Sequence, residues 1–236
     1  MKLALFGATG TTGTALLEQA LDAGHNVRVL ARAPAKISRV SPRLTVLAGD
    51  AKDPAAVAAA VTGCDAVLTA LGGFADTDSI RVGTAQISSA MHQAGLRRIV
   101  IVQGFHLDFP GDPRNPGRKA ILPLLWLGSR TLISDSRAMA SAIQASDLDW
   151  TVIRVPRITR GGPTGHARTG QLRLGPFSSV TNADIADLAL RCLPDAATIG
   201  TAPMIANGGA HALGAAGYWL LGRRPGARTP VTGERR

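Results

Sequence analysis

Three glycines near the start of the chain have a spacing that could bind an anion. Gly7, Gly10 and Gly13 follow the apolar run Lys2 to Phe6 as G-x-x-G-x-x-G and lead into the Ala/Leu-rich stretch Thr14 to Ala23. The first run is too short for a helix and reads as a buried strand, while the stretch after the glycines reads as a helix. A strand, a tight glycine turn and a helix N-terminus bring backbone N–H groups and the positive end of a helix dipole to one point. Gly7, Thr9, Gly10, Thr11, Thr12 and Gly13 are therefore expected to hold the pyrophosphate of a dinucleotide.

The next informative residue closes the second strand, Asn26 to Ala31, which runs into Arg32. An acid at that point accepts hydrogen bonds from the ribose 2′-OH of NAD, whereas an arginine suits a 2′-phosphate through charge-assisted, bidentate bonds. Arg32 predicts NADP(H), with Lys36, Thr11 and Thr12 as helpers. His106 and Asp108 lie just beyond the fifth strand, Arg98 to Val102, and a histidine there titrates near working pH. Ser134, Asp135 and Ser136 belong to a helix near Leu132 to Ala145. His106, Asp108, Ser134 and Ser136 are the candidates for moving a proton. Phe105, Phe109, Leu125 and Trp126 are candidates for an apolar wall against a flat substrate.

These residues depend on the elements that carry them. Strand signals also appear at Leu44 to Ala48, Ala66 to Ala70, Trp150 to Val155 and Thr201 to Ala206. They alternate with helix signals at Pro54 to Val61 (Asp53 as N-cap), Ser79 to Ala94 and Asn182 to Leu193. Such alternation predicts an α/β fold of the Rossmann type, a doubly wound parallel sheet covered on both faces, in a single domain over residues 1–206. Two long segments, 104–128 and 156–176, follow strand C-termini, the edge where open α/β sheets take ligands, and read as substrate loops. Within the first, Ile121 to Leu127 reads equally as a pocket lid or a core cap. Residues 207–236, rich in Gly, Ala and Arg, read as a weakly ordered tail.

Composition narrows the partners. The chain carries a formal charge of +10, but its last fifteen residues hold five arginines and one glutamate, which leaves about +6 scattered over the body with no basic run interleaved with aromatics. Scattered arginine reads as a solvated face, so no nucleic-acid partner is expected. Cys64 and Cys192 form no C-x-x-C pair and read as core residues of a reduced protein, and no metal site is expected. The apolar stretch Ala212 to Gly222 is short and glycine-broken, and nothing resembles a secretory signal. A cytoplasmic protein without a membrane partner is expected, as either a monomer or a homodimer.

The motif GATGTTG resembles the short-chain dehydrogenase/reductase superfamily, and within it the atypical, NmrA-like and biliverdin-IXβ-reductase/flavin-reductase-like group. Gly49-Asp50 resembles that group's GD position, whose acid reaches the adenine amine. TALGG, from Thr69 to Gly73, resembles its glycine-ended fourth strand, which would put Ala70, Leu71, Gly72 and Gly73 beside the ribose and pyrophosphate. SDLDWTVIRVPRIT resembles its SGLDWTIVRPPxL segment, which implies that Val155 and Pro156 line the nicotinamide through their backbone; VTNADIADLAL resembles a later helix start. The fifth strand ends in Gln103 and Gly104, where most short-chain dehydrogenases have a serine, and both are expected near the cofactor.

The resemblance extends over about residues 1 to 206, and it breaks at the catalytic pair. Most of the superfamily uses Tyr-x-x-x-Lys on the helix before the sixth strand, the lysine lowering the tyrosine's pKa. Here Leu132 falls on the tyrosine and Ser136 on the lysine, and Tyr218 in the tail is the chain's one tyrosine. The resemblance implies an NADPH-dependent reductase that passes hydride to a flat conjugated acceptor (a flavin, quinone or polycyclic ketone), for which no activated tyrosine is required. Two alternatives stay open: a non-catalytic NADP-binding regulator of the NmrA-like kind, and a non-redox isomerase, epimerase or cyclase on the same fold.

Overall fold

The computed structural model describes residues 1–72, 78–112, 130–212 and 219–220. The strands of the central sheet are β1 (Lys2–Phe6), β2 (Asn26–Ala31), β3 (Leu44–Ala48), β4 (Ala66–Thr69), β5 (Arg98–Gly104), β6 (Asp149–Val155), β8 (Arg168–Gly170), β10 (Met204–Ala206) and β12 (Trp219–Leu220). A smaller sheet is built from β7 (Arg157–Thr159), β9 (Leu172–Thr181) and β11 (Gly208–Ala212). The helices are α1 (Thr11–Asp22), α2 (Pro54–Val61), α3 (Thr84–Gln93, after a π turn at Ser79–Gly83), α4 (Arg130–Gln144) and α5 (Asn182–Cys192).

The central sheet runs β12-β8-β10-β6-β5-β4-β1-β2-β3. From β3 to β10 every pairing is parallel, and β8 and β12 add an antiparallel edge. This is the Rossmann-type α/β sheet that the β–α alternation predicts. The order reverses at β1, with β2 on one side and β4 on the other, and the crevice above that reversal is where such sheets bind ligands.

Strand side chains alternate between two cores. Leu3, Leu5, Val27 and Val29 face α1 and α5, meeting Leu16, Leu17, Ile185 and Ala189. Ala4, Phe6, Val67, Ile99 and Ile101 face α2, α3 and α4, meeting Val57, Ile87, Met91 and Met139. Burial on both faces explains why β1 and β4 read as unbroken apolar runs rather than alternating ones.

Three expectations change. Helix α1 starts at Thr11 rather than Thr14, so Gly13 lies inside its first turn. Residues 156–176 are not a loop throughout: β7, β8 and the first half of β9 lie there, with Leu172 and Leu174 buried and Arg173 exposed in the period-2 pattern of a strand. Gly175-Pro176 in the middle of β9 reads as a turn in sequence, which masks that pattern. The chain beyond 206 also goes on to form β11 against β9 and β12 against β8, so this part of the expected tail is in strands. Among the described residues no helix is long and apolar enough to cross a membrane.

Candidate functional site

The turn after β1 is built by two glycines that the fold itself requires. Gly7 has φ +82°, and a Cβ there would lie 2.6 Å from the Ala70 carbonyl oxygen. A Cβ on Gly13 would lie 2.0 Å from the Gly7 oxygen, so no side chain fits while α1 packs this closely on the turn. Gly10 differs. Its φ is −85°, an ordinary value, and a Cβ would meet only the Gly7 oxygen at 3.5 Å. Packing does not demand glycine at position 10, and its bare Cα leaves a cradle open over the turn.

That cradle lies at the uncapped start of α1. Gly10 is the N-cap and has no side chain to offer, its own N–H bonds the Gly7 oxygen at 3.1 Å, and the first helical bond runs from Thr14 N to Gly10 O at 2.8 Å. The N–H groups of Thr11, Thr12 and Gly13 are the donors that helix geometry leaves over, and they suit an anion. The Thr14 hydroxyl braces the turn by donating to the carbonyls of Ala8 at 3.1 Å and Gly10 at 2.9 Å, a role the glycine spacing does not signal.

A cavity of about 160 Å³ extends from this turn across the C-terminal ends of β1 to β4. It collects many of the expected residues: Gly7, Thr9 and Gly10 from the turn, Arg32 and Asp50 after β2 and β3, and Ala70, Leu71 and Gly72 after β4. Arg32 is exposed at its rim, and the half-buried Asp50 is oriented by the Lys52 amide, which donates to its Oδ1 at 2.9 Å. A Cβ at Gly72 would meet nothing within 4 Å among the described residues. Leu30, Ala31, Gly49, Ala51 and Ser79 line the same cavity and were not expected there. Their signal is position alone, each lying at or beside a strand end or the start of the next helix. The backbone cradle, the carboxylate and the arginine are groups that could hold a dinucleotide. Gly73, Leu125 and Trp126 lie outside the described residues.

Several other expected site residues have structural roles. The Gln103 side chain donates to the Leu71 carbonyl at 3.1 Å and ties β5 to the loop after β4. Gly104 is needed for His106, whose Nδ1 would lie 2.5 Å from a Cβ at position 104. His106 is buried, and Asp108 is exposed. Phe105 donates its N–H to the Val155 carbonyl at 2.9 Å and packs on Leu172, Leu174 and Met204, so it supports the second sheet from the end of β6. Val155 and Pro156 are both buried beside it.

Phe109 departs furthest from expectation, since it is in the core rather than on a substrate wall. Its ring centroid is 5.9 Å from that of Trp150, and the Arg154 guanidinium lies 5.1 Å from the ring centre. Arg154 is the reason. Although fully buried on β6, it forms a bidentate pair with Asp112, at 2.7 Å through Nη2 and through a second bond from Nη1. It also donates to the carbonyls of Leu107 at 3.0 Å and Ala202 at 2.6 Å. A buried guanidinium needs such partners, and satisfying them draws residues 107–112 back over the sheet.

On α4, Ser134 is exposed and spends its hydroxyl on the Thr131 carbonyl at 3.0 Å. Ser136 is fully buried, and its Oγ has no hydrogen-bond partner among the described residues. Asp135 pairs with Arg81 at 3.3 Å. Below the phosphate turn, Asp184 on α5 is almost fully buried. Burial pushes its carboxyl upward, but hydrogen bonds from the Thr164 side chain and backbone, from Asn207 and from Thr181 outweigh this and hold it below the usual carboxylate range.

Residues 7–196 match the NAD(P)H-binding protein family. A 3β-hydroxysteroid dehydrogenase/Δ5→4-isomerase of Mycobacterium tuberculosis is 36% identical over 108 residues, 40% of this chain but only 29% of that enzyme. The matched segment is thus under a third of that relative's length. The chain also resembles a short-chain dehydrogenase/reductase of Veillonella parvula in complex with NADP (17% identity, TM-score 0.73, 88% of this chain and 95% of that one). ChuY, an anaerobillin reductase of Escherichia coli O157:H7, is similar at 22% identity and TM-score 0.69, over 88% of this chain and 98% of that one. The glycine cradle, the cavity at the sheet's switch point and the family match over residues 7–196 agree: this chain belongs to the NAD(P)H-binding family.

Proposed function

We propose that the protein is an NADPH-dependent reductase acting on a flat conjugated acceptor such as a flavin, quinone or polycyclic ketone. The observation that carries this reading is Arg32 at the rim of a cavity whose other end is the glycine cradle. An arginine at the end of β2 offers a planar fork of donors to a ribose 2′-phosphate, where an acid would favour the free 2′-OH. When bound, the reduced nicotinamide supplies the hydride.

The chain's own residues bind and orient. The α1 N-terminus holds the pyrophosphate and Asp50 faces the adenine end. His106, set against Gly104 just past β5, is the side chain of the post-β5 loop that can hold a proton at the acceptor's edge. No Tyr/Lys pair stands on α4, which presents Leu132 and Ser136 instead, and an extended π system needs none because its developing charge is delocalised and bulk water can protonate it. The names of two similar proteins, an anaerobillin reductase and a hydroxysteroid dehydrogenase/isomerase, support a large ring-bearing substrate.

The test is NADPH consumption against a panel of flavins, quinones and polycyclic ketones, with NADH in parallel. Turnover with NADPH and little with NADH is expected. Tight NADPH binding without turnover on any acceptor would exclude the reductase and leave a cofactor-binding regulator, and a product isomeric with its substrate would identify a non-redox enzyme.

A further inference from the structure

The phosphate turn has a neighbour from the far end of the domain. Asn182, the first residue of α5, donates through Nδ2 to the Thr11 carbonyl at 3.2 Å and accepts from the Gly161 amide through Oδ1 at 3.1 Å. One amide side chain therefore bridges the start of α1 and the loop that follows β7. Gln19 reinforces the contact by donating to the Ala183 carbonyl at 2.9 Å.

The loop is pinned at several further points. Thr164 gives its N–H and its hydroxyl to the buried Asp184, at 2.9 and 2.7 Å, and Asp184 is held in turn by Asn207 at 2.9 Å. The Thr159 hydroxyl donates to the Val180 carbonyl at 3.2 Å, and Gly161 is close enough to Thr181 that a Cβ would lie 3.3 Å from its methyl group. Between these anchors stands Arg160. It is exposed, and among the described residues it makes no hydrogen bond or ion pair. The acid that anchors this loop, Asp184, is already satisfied by its Thr164 and Asn207 donors.

The turn itself, Gly7 to Gly13, contains no charged residue, so it offers a pyrophosphate backbone dipoles and threonine hydroxyls but no cation. Arg32 stands across the cavity at the end of β2, on the ribose side. We propose that Arg160 supplies the missing cation, closing from the post-β7 loop onto the pyrophosphate, with Asn182 as the positioning residue that fixes that loop to the turn. This rests on the dinucleotide reading of the cavity. It adds a second, cationic wall to a site that the glycine spacing describes from one side only.

The experiment measures Kd for NADPH and for NADH on the full chain, by cofactor fluorescence, in wild type, Arg160→Gln and Arg160→Lys. Arg160 has no bonds to lose among the described residues, so the melting temperature of either variant should match wild type. Arg160→Gln is expected to weaken both cofactors by the same factor, roughly ten- to a hundredfold, because both carry the same pyrophosphate. Arg160→Lys should recover part of the loss. Unchanged Kd values in Arg160→Gln would overturn the assignment, and so would a loss confined to NADPH, which would put Arg160 at the 2′-phosphate. A wild-type protein that binds neither cofactor would instead sink the dinucleotide reading.

Discussion

Gly10 and Gly13 lie three residues apart in one motif, yet the structure predicts opposite outcomes when each is replaced by alanine. At Gly13 the new Cβ would lie 2.0 Å from the Gly7 oxygen and 2.6 Å from the Gly7 carbonyl carbon, both backbone atoms, so α1 must move off the turn. A clash of that kind belongs with the large destabilisations, about 4 kcal/mol or more. At Gly10 the Cβ meets one atom at an ordinary 3.5 Å, and φ is already −85°. The costs there are a weaker N-cap, about 0.5–1 kcal/mol, offset by a similar gain from a stiffer unfolded chain. The Gly10→Ala melting temperature should stay within about 4 °C of wild type.

Its cofactor affinity should not. A methyl group in the cradle keeps the pyrophosphate off the N–H groups of Thr11 and Thr12, and losing one or two charge-assisted bonds costs about 2–4 kcal/mol, or roughly 30- to 700-fold in Kd. Thermal melts and NADPH titrations on the two variants make the comparison. Normal NADPH binding by Gly10→Ala would refute the cradle, and a Gly10→Ala protein as unstable as Gly13→Ala would refute the packing argument.

Other perturbations test the surrounding structure. Arg154→Met removes the buried guanidinium from its bidentate pair with Asp112, which is only 6% exposed, and should cost about 3–5 kcal/mol, whereas Arg154→Met combined with Asp112→Leu should recover most of that; a wild-type melting temperature for Arg154→Met would contradict the clamp. Ser136→Ala removes a buried hydroxyl that has no partner among the described residues and should raise the melting temperature by about 2–4 °C, while a fall would show that the hydroxyl is bonded. Asp184 has a folded pKa below its unfolded value. Its contribution is therefore complete above the ordinary carboxylate range and is lost as pH falls through the lower, folded value. The urea midpoint should accordingly drop on acidification, with a shallower acid limb in Asp184→Asn; identical limbs would argue against this carboxylate.

Much of this architecture is legible in the sequence because mostly buried parallel strands leave a plain apolar signature, one that even the part-exposed edge strand β3 keeps. Lys2–Phe6, Asn26–Ala31 and Leu44–Ala48 can be bounded to the residue, and the glycine spacing locates the turn between β1 and α1. The second sheet is harder to see. β7 and β11 are short, and the apolar pattern of the ten-residue β9 is broken in sequence by Gly175-Pro176, so they resemble loop. Phe109 illustrates a different limit. An aromatic in a loop at the ligand edge suggests a wall, and only the buried Arg154, whose donors demand partners from that same loop, explains why it turns inward. Asn182 could not be connected to the phosphate turn from spacing, because α5 is about 170 residues downstream of the turn it touches.

The most direct test of the central claim is an equilibrium titration of NADPH and NADH on wild type and Arg32→Glu. Wild type should bind NADPH more tightly than NADH, and Arg32→Glu should lose NADPH far more than NADH, so that the preference collapses or inverts. Equal weakening of the two cofactors, or no change in either, would contradict the assignment of Arg32 to the 2′-phosphate and with it the case for an NADPH-dependent enzyme.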